Sequence, residues 1–145
     1  MKYTNLFFMI ALSFISMFIL MYIMVDSYNN VFVNLNQFYM AGVMTVTMLI
    51  IELLFMGSMY PNKKLNFLIV VFSLAIFIVL IIFIRKQTAI TDKEFLKSMI
   101  PHHAAALLMC EKAQLHDPEI KDLCKNIGKT QLSEINFMKE KLRTI

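Results

Sequence analysis

The sequence predicts an all-α protein built in two parts: three hydrophobic helices that cross a bilayer, then a C-terminal antiparallel helical hairpin that faces water. Three observations predict it: a sharp partition of charge, three apolar runs of spanning length, and two strong helix-start signals near the C-terminus. The chain has 145 residues, 59% of them hydrophobic. Before Arg85 the only acids and bases are Lys2, Asp26, Glu52, Lys63 and Lys64, whereas eleven bases and eight acids follow Ile84. Two such regimes imply two solvents.

The apolar runs lie at residues 6–25, 38–60 and 67–84, within a membrane domain of residues 1–84. A helix rises about 1.5 Å per residue, so roughly 20 residues cross about 30 Å of hydrocarbon. A cleaved signal peptide is the competing reading of the first run, but the run is long for that role and no small-x-small site follows it. Lys2, Lys63 and Lys64 place the N-terminus in the cytoplasm, and the first loop, Asp26 to Gln37, contains no base. Three crossings then put the C-terminal domain on the extracytoplasmic side of a bacterial inner or plasma membrane. Arg85 and Lys86 argue the other way.

The second run departs from plain lipid-facing sequence. Glu52 lies inside it, and a carboxylate there costs on the order of 3 kcal/mol, so it must face protein or water. Met40, Met44 and Met48 recur four residues apart, Glu52 takes the next step, and Met56 the one after. The ribbon follows a packing ridge. Its spacing resembles the Met-x-x-x-Met element of three-span copper permeases, since thioether suits Cu(I), but methionine is also a common filler of apolar helices. Glu52, Met40, Met44 and Met48 are thus a candidate intramembrane site, or packing.

After a short linker at residues 85–90, Thr91 and Glu94 form a capping box, with Ile90 and Phe95 as a hydrophobic staple. A helix starts at Asp92. Asp117-Pro118-Glu119 starts a second, with Asp as N-cap and Pro in the first turn. The hairpin covers residues 91–145 and turns near His116. Its second helix carries a stripe through Ile120, Leu123, Cys124, Ile127, Gln131, Ile135, Met138 and Leu142; in the first, Phe95, Met99, His103, Ala106 and Cys110 share a face, flanked by His102 and Met109. Antiparallel pairing about His116 sets Met99 opposite Glu134, His102 opposite Gln131, Phe95 opposite Met138, and Cys110 beside Cys124. The cysteines form a disulfide, a thiol pair, or two inert buried side chains, according to compartment and packing. Pro101 kinks the first helix near Lys97, just before the His pair.

The run Asp92-Lys93-Glu94-Phe95-Leu96-Lys97-Ser98-Met99-Ile100-Pro101-His102-His103, with Ala106, Met109, Asp117-Pro118-Glu119-Ile120 and Glu134-Ile135-Asn136-Phe137-Met138, resembles domain-of-unknown-function family number 305. The resemblance implies a ferritin-like helical bundle, usually exported, with members linked to copper binding and tolerance. Carried onto this sequence, it implies metal ligands at Met99, His102, His103, Met109, Glu134 and Met138. The departures are a single hairpin, where fuller members have more helices, and Ala104 where glutamine is common.

Imidazole and thioether agree with copper as the cofactor. One hairpin buries little surface, so completion of a half-bundle by homo-oligomerisation through the hairpin is expected, beside the lipid bilayer as partner. Interleaved acids and bases argue against nucleic acid. Catalysis is not expected: the Glu-x-x-His pairs of di-iron bundles are absent, and no nucleophile triad can be assembled. The leading expectation is a membrane-anchored copper-binding module; the alternatives are a subunit of a metal or ion transporter, or a docking element without metal.

Overall fold

A computed structural model describes residues 2–145 as helices and short connections, with no strand among the described residues. Helix α1 spans Lys2–Leu20, α2 Leu35–Phe55, α3 Lys63–Lys86, α4 Asp92–Lys112 and α5 Pro118–Thr144, with single 3₁₀ turns at Tyr28–Asn30 and Gly57–Met59. The chain forms two compact units. One contains α1, α3 and α2 from Asn36 onward, and the other joins Tyr22–Leu35 to Ile90–Ile145.

The first unit holds three helices long and apolar enough to cross a membrane, with spans of 18, 21 and 24 residues. Only 6% of the α1 and α3 spans is buried within the protein, so their surface requires an apolar solvent. Their boundaries differ from the hydropathy reading where polar groups intervene. The first helix stops at Leu20, short of residue 25. The third begins at Lys63, because the Asn62 side chain accepts a hydrogen bond from the Leu65 N–H and caps it. Arg85 and Lys86 continue α3 by two residues, where positive charge complements the exposed carbonyls. The core is small: Leu6, Leu49, Leu53 and Tyr60 are buried together.

In the second unit each start signal is realised. The Thr91 hydroxyl accepts from the Glu94 N–H at 3.4 Å, and Asp117 Oδ1 accepts from the Glu119 and Ile120 N–H groups at 2.9 and 3.1 Å. The Glu94 carboxylate does not fold back to Thr91; it accepts from the Leu35 N–H at 3.0 Å and from Lys97 Nζ at 2.8 Å. The predicted capping box is therefore half formed, its acid diverted to the α1–α2 connection.

The core consists of Ile100, Ala104 and Leu107 from α4 with Ile135 and Met138 from α5. Val25 and Phe32 of the α1–α2 connection pack against it, as do Leu96, Met99 and Leu142. This corrects the inner face predicted for α4. Ile100, Ala104 and Leu107 take it, and the stripe Phe95, Met99, His103, Ala106 and Cys110 lies roughly a quarter-turn round, with Phe95 about half exposed. Pro101 does not end the helix. Its ring leaves the Lys97 carbonyl without an intrahelical donor, and Asn34 Nδ2 donates to that oxygen at 3.4 Å. Asn34 is itself buried.

Candidate functional site

The α4–α5 hairpin has two broad faces, and the residues around its core decide what each can do. On one, the Tyr22–Leu35 connection covers the helices through Asn34, Leu35, Val25 and Phe32. On the other, His103 of α4 meets Glu134 of α5, with Nδ1 and Oε2 3.1 Å apart. Helical residues advance about 100° each, so continuing around α4 from His103 leads to His102, Phe95 and Met109, all exposed. Continuing around α5 from Glu134 leads to Leu123, Thr130 and Phe137, also exposed. The second face is therefore open and apolar, with an imidazole pair and one carboxylate at its centre.

The two imidazole rings lie 5.9 Å apart at a 59° tilt. His103 is the enclosed one, its side chain 13% exposed, while the Glu134 side chain is 48% exposed. The carboxylate is close enough for ion pairing but outside hydrogen-bond geometry, and His103 Nδ1 is buried with no hydrogen-bond partner. Burial holds the His103 pKa below its ordinary 6.5; the Glu134 charge raises it and His102 lowers it further, so the net shift is downward. The neutral ring, the form that ligates metals, is thereby favoured.

The predicted ligands separate into three groups. His102, His103 and Glu134 come together on the open face. Met109 lies exposed on the same side, one turn and three residues beyond His102. Met138 is buried, and Met99 packs against the cluster that contains it, so both thioethers are committed to the core. The Cys110–Cys124 pairing keeps the expected register, but Glu134 meets His103, one turn along α4 from the expected Met99. Among the described residues no cluster of three or more His, Cys, Asp or Glu side chains is arranged to hold a metal ion.

Cys110 and Cys124 are joined in a disulfide, which selects one of the three alternatives left open by the sequence. Beside it is a cleft of about 480 Å³ with Leu107, Leu115 and Leu132 in its wall and Lys121, Lys125 and Lys129 along α5.

In the first unit, Glu52 accepts a hydrogen bond from the Tyr60 hydroxyl at 3.1 Å. Tyr3 donates to Asn66 Oδ1 at 2.8 Å, and Asn66 Nδ2 donates to the Tyr60 carbonyl. Glu52 therefore has a partner within the protein. The buried ridge of α2 is Ala41, Thr45, Leu49 and Leu53. Met40 and Met44 are exposed on the outside of the helix and Met48 is partly buried, so the ribbon does not line an interior path between α1, α2 and α3. Tyr60 as the partner of Glu52 went unread in the sequence, as did Asn34 as the donor to α4. An asparagine before an apolar run is an N-cap signal, but nothing local names α4 as its target.

Residues 84–144 match the family described as Domain of unknown function (DUF305). The chain belongs to this family. A protein of Acanthamoeba polyphaga mimivirus, described as uncharacterized protein L153, is 34% identical over 115 residues, covering 78% of this chain and 74% of that protein. That alignment is longer than the DUF305 segment, so the likeness extends into the three-helix unit. No solved structure matches the chain. The DUF305 segment takes in the end of α3 and all of α4 and α5, but it excludes the connection that completes its core.

Proposed function

We propose that this protein is a membrane-anchored metal-binding module whose DUF305 hairpin stands on the extracytoplasmic side and holds copper through His102, His103 and Glu134. The observation that carries the reading is the imidazole pair beside a partly exposed carboxylate, with His103 Nδ1 buried and lacking a hydrogen-bond partner. The donors fit. Imidazole with carboxylate suits Cu(II), and the exposed Met109 thioether on the same side offers the soft donor that Cu(I) prefers. Bound there, copper would supply a strongly held cation for storage or transfer, with no reaction required of the protein. Three donors from one chain form an open set.

Support for the orientation comes from three directions. Lys2, Lys63 and Lys64 flank spans on one side, whereas Tyr22–Leu35 has no base and packs in one unit with the hairpin. An even number of spans, α2 and α3, separates that connection from the hairpin, as sharing a compartment requires. The Cys110–Cys124 disulfide agrees with an oxidising compartment. The transport reading has less support, since Glu52 is hydrogen-bonded to Tyr60.

The test is titration of the full chain in detergent with Cu(I), Cu(II) and Zn(II), beside a His102→Ala/His103→Ala variant. Loss of copper affinity by tenfold or more in the variant, with helicity unchanged, is the expected result. Equal binding by both proteins would overturn the assignment.

A further inference from the structure

The open face poses a packing problem that the chain does not solve alone. Ser98 to Cys110 contains no Asp, Glu, Lys or Arg. A helix apolar on all sides is a buried helix, yet α4 has only two of its sides covered, one by α5 and one by the Tyr22–Leu35 connection. On the side left over, Phe95, His102 and Met109 succeed one another at seven-residue spacing, with His102 the middle residue of α4. On α5, Leu123, Thr130 and Phe137 repeat the spacing. That is the period of a helix seam packed against other helices.

We propose that a second copy of this chain docks on this face, the two hairpins packing face to face so that His102, His103 and Glu134 of both copies gather at one centre. The metal part of this statement rests on the proposed function above; the docking part does not.

Two observations choose a second copy as the occupant. The first is charge complementarity of the face with itself. It carries imidazoles on α4 and a carboxylate on α5, and no Lys or Arg lies on it between Phe95 and Met109 or between Leu123 and Phe137. A two-fold axis along the hairpin lays α4 of one copy on α5 of the other, antiparallel, and brings each Glu134 toward the other copy's His102. The second is the polar centre itself. A lipid surface would have to accept two imidazoles and a carboxylate in the middle of the buried patch, which hydrocarbon penalises, whereas a second hairpin supplies partners for them. The four helices then form an antiparallel bundle with the donors inside, the arrangement in which helix bundles build metal sites from facing helices. The open donor set of one chain becomes six donors from two.

The experiment uses the full chain in lipid nanodiscs, with a photo-crosslinking benzoylphenylalanine placed singly at Phe95, Met109 or Phe137. Leu132 and Lys125, which border the lysine-lined cleft away from the His103–Glu134 contact, serve as controls. Covalent dimers from the three face positions and none from the controls are expected, at the same yield with chelator present. Lipid adducts or monomers at the face positions, or equal dimer yield from the controls, would overturn the proposal. As a second measurement, Met109→Lys/Phe137→Lys should convert the particle to a monomer by light scattering while the disulfide and helicity persist. A persisting dimer would refute this choice of face. Because chelator is present in one arm, failure of copper binding leaves the dimer readable, and failure of the dimer leaves the titration of the monomer readable.

Discussion

Replacing Asn34 by alanine removes the side chain that compensates for a proline 67 positions away. Pro101 has no N–H, so the Lys97 carbonyl loses its usual donor, and Asn34 Nδ2 supplies one at 3.4 Å from a site only 3% exposed. A net hydrogen bond is worth about 1 kcal/mol, and leaving a buried acceptor unpaired costs about 1–3 kcal/mol. Asn34 also donates to the Phe32 carbonyl at 2.9 Å, so the single substitution loses more than the contact of interest. A double-mutant cycle separates the two. In a Pro101→Ala background the helix supplies its own N–H to Lys97, and Asn34→Ala should cost about 1 kcal/mol less there than in the parent. Hydrogen exchange of the α4 amides in the full chain, read as opening free energies, measures all four corners. Equal cost in both backgrounds, within about 0.3 kcal/mol, would refute the view that the α1–α2 connection repairs the proline.

Cys110→Ser/Cys124→Ser opens a loop with a sequence separation of 14 and should cost the hairpin about 3 kcal/mol, seen as a lower thermal midpoint that the parent reproduces only after reduction. Glu94 gives a pH dependence. Its Lys97 partner holds its pKa below the ordinary value near 4.5; burial opposes this, and the Leu35 N–H adds to the lowering. A carboxylate with a depressed folded pKa stabilises the native state above pH 4.5, and that contribution fades as the pH falls through the depressed value. Thermal midpoints taken from pH 6 to pH 3 should therefore fall less steeply in Glu94→Gln than in the parent, and parallel curves would exclude this role for Glu94.

The two hairpin helices were not equally legible, and composition explains why. In α5 the core positions Ile135, Met138 and Leu142 stand among Lys129, Glu134, Lys139, Glu140 and Lys141, so a three-and-four spacing points to one face. In α4 the stretch from Ser98 to Cys110 is uncharged on every side. Any of several faces satisfies the same period, and the one containing Met99 and His103 is only about a quarter-turn from the one that holds Ile100, Ala104 and Leu107. Helix starts at Thr91 and Asp117 were legible because capping is local. The partners of Glu94 and Lys97 lie 59 and 63 residues away in the chain, and no local pattern encodes such a pairing.

The placement of Val25 and Phe32 changes what counts as the functional domain. A fragment starting at Arg85 keeps the whole family-matched segment yet lacks two side chains packed on Ile100, Ile135 and Met138, the donor to the Lys97 carbonyl, and the N–H that Glu94 accepts. Its uncovered flank would then be apolar on both broad faces of the hairpin, one by truncation and one by nature. Association through the truncated face would compete with association through the face bearing His102, and metal binding by such a fragment would report on a packing that the intact chain prevents. By occupying one side of α4, the connection between the first two spans leaves the imidazole side of the hairpin as the face on which the proposed second copy would dock.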